Sequence, residues 1–276
     1  AEILISVQNQ NISPKEGLNV IGCDADAVTG NYLLTSGMEF TKDEAIQLLQ
    51  SIGVNNPDRF SKFKATIDGK QIFSGILPED FNFVGESKSK RKVIVRNGEL
   101  IEGVIDKASI GQEKGTLVRA VCARYGNDVG IKVLGNIFRL GISLLSRIGF
   151  TTSVADTDLP SDVSAKCKEV VYNAERRVLQ LIEQVQSKEL EPLPGLSIEE
   201  TMELKIRETL DKARTKVGEI IAEMASEKNP TIIMANSGAK GNIINLAQMA
   251  ACVGQQSLRG RRIEIGYRNR TLSLFA

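Results

Sequence analysis

The sequence predicts an α+β fold in which a mixed N-terminal region precedes a long helical hairpin. Three observations carry that prediction. "RKVIVRNGELIEGVI" sets two β-branched runs on either side of Asn97-Gly98, the pair favoured in a type I′ turn, so a β-hairpin is expected. Apolar residues from Val163 to Val185, and again from Ile198 to Met224, recur at three- and four-residue steps, the period of an amphipathic helix. Pro192, Pro194 and Gly195 lie between the two stripes and force a tight reversal. On this reading residues 1–160 form an α+β domain, 161–230 a helical hairpin, and 231–276 a loop, a helix and a basic turn.

The elements follow in order. Residues 1–60 mix short apolar runs with turn chemistry such as the Ser-Pro and Gly of "NISPKEGLNVIG". In "TKDEAIQLLQSIG" Thr41 can cap a helix, with Glu44 three residues on completing a capping box. "KSKRK", Lys88 to Lys92, is most simply a solvated loop before the hairpin. "GTLVRAVCARYG" and "DVGIKVLGNIFRLGISLLSRIG" read as helices; in the second, Val133, Ile137, Leu140, Leu144, Leu145 and Ile148 form the stripe and Gly149 ends it. "GFTTSVADTDLP" reads as a short extended segment and a turn into Pro160. The first long helix carries Val163, Cys167, Val170, Val171, Ala174, Val178, Leu181, Ile182 and Val185 on one face. The second carries Ile198, Met202, Ile206, Leu210, Ala213, Val217, Ile220 and Met224, and Ser197 with Glu200 makes its capping box. Thr231 to Met234 reads as a buried strand or extended segment, "NSGAKGN" as a turn-rich loop, and Ile243 to Val253 as a helix.

Composition narrows the chemistry. The 276 residues are 42% hydrophobic and 25% charged, ordinary for a folded chain. No apolar stretch is expected to reach the roughly 18 residues of a membrane span. "AEILISVQNQNISP" lacks the marks of a signal peptide, and the missing initiator Met suggests an excerpt or a processed chain. The chain contains no histidine, which removes Ser-His-Asp and Cys-His triads and HExxH zinc sites. Cys23, Cys122, Cys167 and Cys252 are far apart, which argues for free thiols in a reducing, cytoplasmic setting and against a zinc ribbon. Net charge is +1, yet residues 231–276 hold Lys240, Arg259, Arg261, Arg262, Arg268 and Arg270 against Glu264 alone, a local +5 that leaves about −4 elsewhere. Such a basic end is either a phosphate-contacting surface or a solvated tail.

Two motifs resemble known sites without matching them. "SGAKGN" lacks the G-x-x-x-x-G-K-[ST] of a P-loop, with Asn242 where a magnesium-binding hydroxyl would stand. Gly238 and Gly241 still allow close backbone approach, and Lys240 adds a point charge, so the loop is either a weak anion site or a plain turn. Asp24-Ala25-Asp26 pairs two carboxylates but has no third acid nearby, so a turn is expected and not a metal site. Gln248, Gln255 and Gln256 surround Cys252 where a surface helix usually carries Glu and Lys. Neutral amides beside a basic turn would suit a passage that polyphosphates traverse, because acids there would repel phosphate and lysines would hold it.

"MANSGAKGNIINLAQMAACVGQQSLRGRRI…GYRNRTLSLF" resembles the largest subunit of multisubunit DNA-directed RNA polymerase, most closely the archaeal A′ type. "SGAKGN", "NLAQM", "ACVGQQS" and "RGRRI" occur in the family's order, and "NISPKEG…IGCDADAVTGNYLLT", "QIFSGILPEDFNF", "VIVRNGELIEGVIDKASIG" and "GFTTSVADTDLP" fit as well. The resemblance covers essentially the whole chain and implies the pore and funnel of a nucleotidyltransferase. The family's "NADFDGD" magnesium loop is absent here, and its bridge helix and trigger loop would lie beyond Phe275, so the fragment is expected to bind no cofactor, with magnesium belonging to the intact enzyme. The resemblance places Lys240 near the phosphates of the incoming nucleoside triphosphate. It places Gln248, Cys252, Gln255, Gln256, Ser257, Gly260, Arg261 and Arg262 beside the bridge helix and trigger loop, as channel and active-site support. Implied partners are other polymerase subunits, template DNA and RNA, nucleoside triphosphates, and cleavage factors at the funnel, with no membrane. The alternative is a non-catalytic module that uses its helical arm to dock a protein.

Overall fold

The computed structural model describes residues 2–224, 226, 228–258 and 260–262. The chain divides into two compact units, residues 1–152 with 227–242, and residues 153–226 with 243–276. The segment expected as one piece from 231 onward is therefore shared between them.

The first unit contains α1 (Glu2–Ile5), a 3-10 turn (Val7–Gln10), α2 (Ala25–Thr35), β1 (Glu39–Thr41), α3 (Lys42–Ser51), α4 (Pro57–Ser61), β2 (Thr66–Asp68) and α5 (Gly69–Ser74). It continues through β3 (Phe83–Glu86), β4 (Lys92–Arg96), β5 (Glu99–Glu102), α6 (Lys107–Ile110), α7 (Thr116–Tyr125) and α8 (Asn127–Ile148). Antiparallel β1 and β2 pair Phe40 with Ile67. The strands β3, β4 and β5 form an antiparallel meander, with a bulge at Ile94/Val95. The expected hairpin joins β4 to β5: Asn97 and Gly98 both take positive φ (48° and 71°), as a type I′ turn requires. Thr41 caps α3 as expected, accepting from Glu44 N while Glu44 Oε2 accepts from Thr41 N at 2.8 Å.

The core of this unit forms where α2, α5, α7 and α8 bury Val28, Leu34, Ile72, Phe73, Leu117, Val121, Ile137 and Leu140. Small residues let α2 and α8 approach closely. A Cβ on Gly30 would lie 2.1 Å from the Gly141 carbonyl oxygen, and one on Gly141 would lie 2.4 Å from that of Ala27. Asn31 pins the crossing by donating to Ile137 O across it at 2.8 Å. Contrary to the reading of the sequence, one stretch does have the length and apolarity of a membrane span: α8, with 22 residues. Its apolar stripe is taken up by the core instead, since Val133, Leu134, Ile137, Leu140 and Leu144 are all buried.

Thr231 to Met234 is helical, not extended; it lies inside α11, Pro230–Ser237, for which the intervening helices of the second unit are α9 (Ser161–Gln186) and α10 (Ile198–Met224). The β-branched run suggested a strand, but the local capping chemistry decides otherwise. Asn229 accepts from Thr231 N (2.9 Å) and Ile232 N (3.3 Å), and Pro230 occupies the first turn, where its missing N–H costs nothing. The buried residues Ile232 and Ala235 then fall three apart on one face.

The second unit is the helical hairpin. Packing of α9 against α10 buries Leu181, Leu190 and Ile206, with Val178, Ile182, Val185, Met202 and Leu210 around them. The reversal at residues 187–197 is closed by specific bonds. Ser197 N donates to Glu200 Oε2 (2.9 Å) and Glu200 N to Ser197 Oγ (3.1 Å), the predicted capping box. Leu193 N donates to the hydroxyl of Thr201, which is fully buried. Towards the end of α10 the buried stripe runs through Val217 and Ile221, while Ile220 is half-buried, because 3.6 residues per turn moves the contact line by one position. Before the hairpin, the turn expected ahead of Pro160 takes the form of a 3-10 turn, Val154–Thr157. The last helix, α12 (Ile243–Ala250), stops three residues short of the expected Val253 and packs on α10 through a side that buries Leu246 and Ala247. Beyond it, β6 (Ser257–Leu258) pairs with β7 (Arg261–Arg262).

Candidate functional site

In the first unit the site is built around the end of α11. That helix stops at Gly238, whose left-handed φ of 77° turns the chain sharply, and a Cβ there would lie 2.9 Å from Lys107 Cβ. Ser237 and Ala239 are buried on either side of the turn, and Ala239 joins the hydrophobic core. Ser237 Oγ accepts from Ala239 N at 3.3 Å, and Lys240 N donates back to Met234 O at 3.3 Å. The alternation leaves Lys240 exposed on a loop whose neighbours are anchored in the interior.

Three groups not singled out in the sequence as site residues complete this surface. Lys107 donates from Nζ to Asp24 Oδ1 at 2.9 Å, and Asp24 sits at the N-terminus of α2. The Lys107 hydrogen bond holds the Asp24 carboxyl below the usual carboxylate range; slight burial opposes it, and the Lys240 charge adds a smaller pull in the same direction. Lys240 is thus near enough to Asp24 to act on it. Lys88 donates from its backbone N–H to Asp106 Oδ2 (2.6 Å) and from Nζ to Ala235 O (2.6 Å) in the last turn of α11. The "KSKRK" loop is exposed as expected, Lys88 included, but the Lys88 head group is also tied to a helix carbonyl. Asp106 is buried, and burial pushes its carboxyl up against the opposing effect of the N–H groups of Lys88, Ala108 and Ser109. The sequence signal for this role was an Asp immediately before a helix start, a capping position.

Asp24-Ala25-Asp26 is a helix start, and Asp24 is engaged by a lysine. Among the described residues no three Cys, Asp or Glu side chains come together as a metal-binding set.

The remaining predicted residues belong to the second unit. Gln248 and Gln256 both donate from Nε2 to Val253 O (3.4 and 3.2 Å), and Gln255 Nε2 donates to Gln256 O at 2.8 Å. Part of the reason for amides here is therefore local: they satisfy carbonyls of the turn after α12, which a carboxylate could not do. Cys252 is half-buried, and the buried Cys167 has its thiol pushed up by burial and then by Cys252. Ser257 opens the β6–β7 hairpin opposite Arg262, and Gly260 (φ 78°) lies in its turn. Arg207 of α10, unmarked in the sequence, brings Nη1 to 3.5 Å from where a Gly260 Cβ would be. The side chains of Arg261 and Arg262 lie outside the described residues, as do Arg259, Glu264, Arg268 and Arg270.

The family description "RNA polymerase Rpb1, domain 3" matches residues 10–157, and "RNA polymerase Rpb1, domain 4" matches residues 182–276. Among curated proteins the chain is similar over its whole length to the DNA-directed RNA polymerase subunit Rpo1N of Methanocaldococcus jannaschii, at 40% identity. It is equally similar to that of Methanothermobacter thermautotrophicus, also at 40%, and 36% identical to that of Halobacterium salinarum. The chain spans 22%, 33% and 29% of the lengths of these three relatives.

Proposed function

The chain belongs to the RNA polymerase Rpb1 family, the largest subunit, and from that premise we propose that it forms the nucleotide-entry pore and funnel of a DNA-templated RNA-synthesising enzyme. The observation that carries this reading is Lys240, held exposed on an anchored loop within the electrostatic reach of the Asp24–Lys107 pair. In this reading Lys240 attracts the triphosphate of the incoming nucleotide as a point charge. The turn with Gln248, Cys252, Gln255, Gln256, Ser257, Gly260, Arg261 and Arg262 supports moving elements of the active centre supplied by neighbouring sequence. The hairpin of α9 and α10 walls the entry channel and receives cleavage factors; exposed Tyr172, Leu179 and Leu196 are available on it for protein contact. Template DNA, RNA and other subunits complete the assembly, which works in the cytoplasm.

The two-metal chemistry of such an enzyme would be supplied by magnesium held outside this chain, and no bond-making step is assigned to these residues. Replacing Lys240 with Ala in the assembled polymerase should raise the apparent KM for nucleotides by roughly tenfold, the scale of losing one charge-assisted contact. Unchanged elongation kinetics across a nucleotide titration would remove Lys240 from the substrate path.

A further inference from the structure

We propose that Lys88, anchored through Asp106, is a positioning residue that sets where Lys240 stands. The inference rests on the reading of Lys240 as a triphosphate contact and deepens it. The carbonyls of the last turn of α11 govern the loop. Met234 O accepts from the backbone N–H of Lys240 (3.3 Å), and Ala235 O accepts from Gly238 N (3.3 Å) and from Lys88 Nζ (2.6 Å). An ammonium at a helix C-terminus is favoured both by the hydrogen bond and by the negative end of the helix dipole. A Cβ on Gly238 would lie 3.5 Å from Lys88 Cδ, so the stem of Lys88 runs along the same turn that its head group holds.

Lys88 can perform this task because it stands on a stiff mount. It sits at the tip of the β3–β4 hairpin, where Ser87 N donates to Arg91 O and Lys90 N to Ser87 O, both at 2.9 Å. Its own N–H is tied to Asp106 Oδ2 at 2.6 Å. The same carboxylate caps α6 through Ala108 N (3.0 Å) and Ser109 N (3.3 Å), one residue from Lys107. One buried acid thus registers the hairpin tip, the start of α6 and, through Lys88, the end of α11. Without the ammonium, the Ala235 carbonyl keeps only its 3.3 Å bond from Gly238, and the loop that presents Lys240 loses its lateral tie.

The test is a double-mutant cycle in the assembled polymerase, with assembly verified by gel filtration. Lys88→Met keeps the apolar stem and removes the donor; Lys88→Arg keeps a donor; Lys240→Ala removes the group being positioned. Lys88→Met should raise the nucleotide KM by roughly three- to tenfold, with the change falling on KM more than on kcat. Lys88→Arg should restore most of it. In the Lys240→Ala background, Lys88→Met should add nothing further, because both act through one contact. Additive effects of the two substitutions, or an unchanged KM for Lys88→Met where Lys240→Ala raises it, would overturn the positioning role while leaving the Lys240 reading intact. An unchanged KM for Lys240→Ala itself would overturn both.

Discussion

Gly30→Ala is the sharpest perturbation of the scaffold beneath the site. The added methyl would sit 2.1 Å from Gly141 O and 2.7 Å from Gly141 Cα, both backbone atoms that cannot rotate away. To reach ordinary contact, α2 and α8 must separate by about 1 Å in a close-packed interior. Overpacking of this kind costs about 1–3 kcal/mol. Separation also strains the 2.8 Å bond from the buried Asn31 to Ile137 O; Asn31 keeps its bond to Ala27 O, so the loss is that of one hydrogen bond, about 0.5–1.5 kcal/mol. Against this, Ala is the better helix former by about 1 kcal/mol. The clash wins, and the net loss is about 0.5–3.5 kcal/mol. With a urea m-value of roughly 2 kcal/mol/M, the midpoint of the transition that unfolds the first unit should fall by about 0.3–1.8 M. Gly218→Ala in α10 isolates the propensity effect, since a Cβ there meets nothing within 4 Å; it should stabilise by about 1 kcal/mol. Because α2 begins beside Asp24 and packs on α11, Gly30→Ala should also disturb the Lys240 loop. A Gly30→Ala protein as stable as the parent would refute the close-crossing account.

Two further outcomes follow from the side-chain environments. Among the four thiols, Cys252 alone is half-buried, whereas Cys23, Cys122 and Cys167 are buried with thiols raised by burial, Cys23 to about 12. A colorimetric disulfide reagent at mild alkaline pH should therefore titrate one thiol in the native protein and the other three only on unfolding; rapid reaction of Cys23 would contradict its burial. Asp24 gives a pH signature. Its folded pKa is lowered, chiefly by Lys107, so its stabilisation is present above the unfolded carboxylate value of about 3.9 and is lost as pH falls through the lower folded value. The stability gap between the parent and Asp24→Asn should accordingly be below about 1 kcal/mol at neutral pH, because the pair is solvent-exposed, and should close in acid. A gap that widens in acid would have the wrong sign.

Much of the fold was legible wherever short-range chemistry decides. Asn97-Gly98 specifies its turn through φ alone, the Thr41/Glu44 and Ser197/Glu200 boxes specify helix starts, and the two apolar stripes specify a hairpin because each can be buried only against the other. The Lys240 loop was visible as a glycine-flanked lysine, and family likeness in its flanks was readable residue by residue. Where the outcome depended on partners distant in sequence, the sequence was silent or misleading. Thr231 to Met234 is the exception among the differences: its deciding cap, Asn229 with Pro230, is local and outweighs the strand propensity of the β-branched run. Lys88 looked like one more solvated lysine, and only the fold brings it to a carbonyl 147 residues away. Asp106 drew no notice in the sequence, and only the fold shows that it ties a hairpin tip to a helix start. The physical reason is range: a capping bond or a turn dihedral is settled within a few residues, whereas a charge acquires its role from whichever carbonyl or carboxylate the packed core brings beside it.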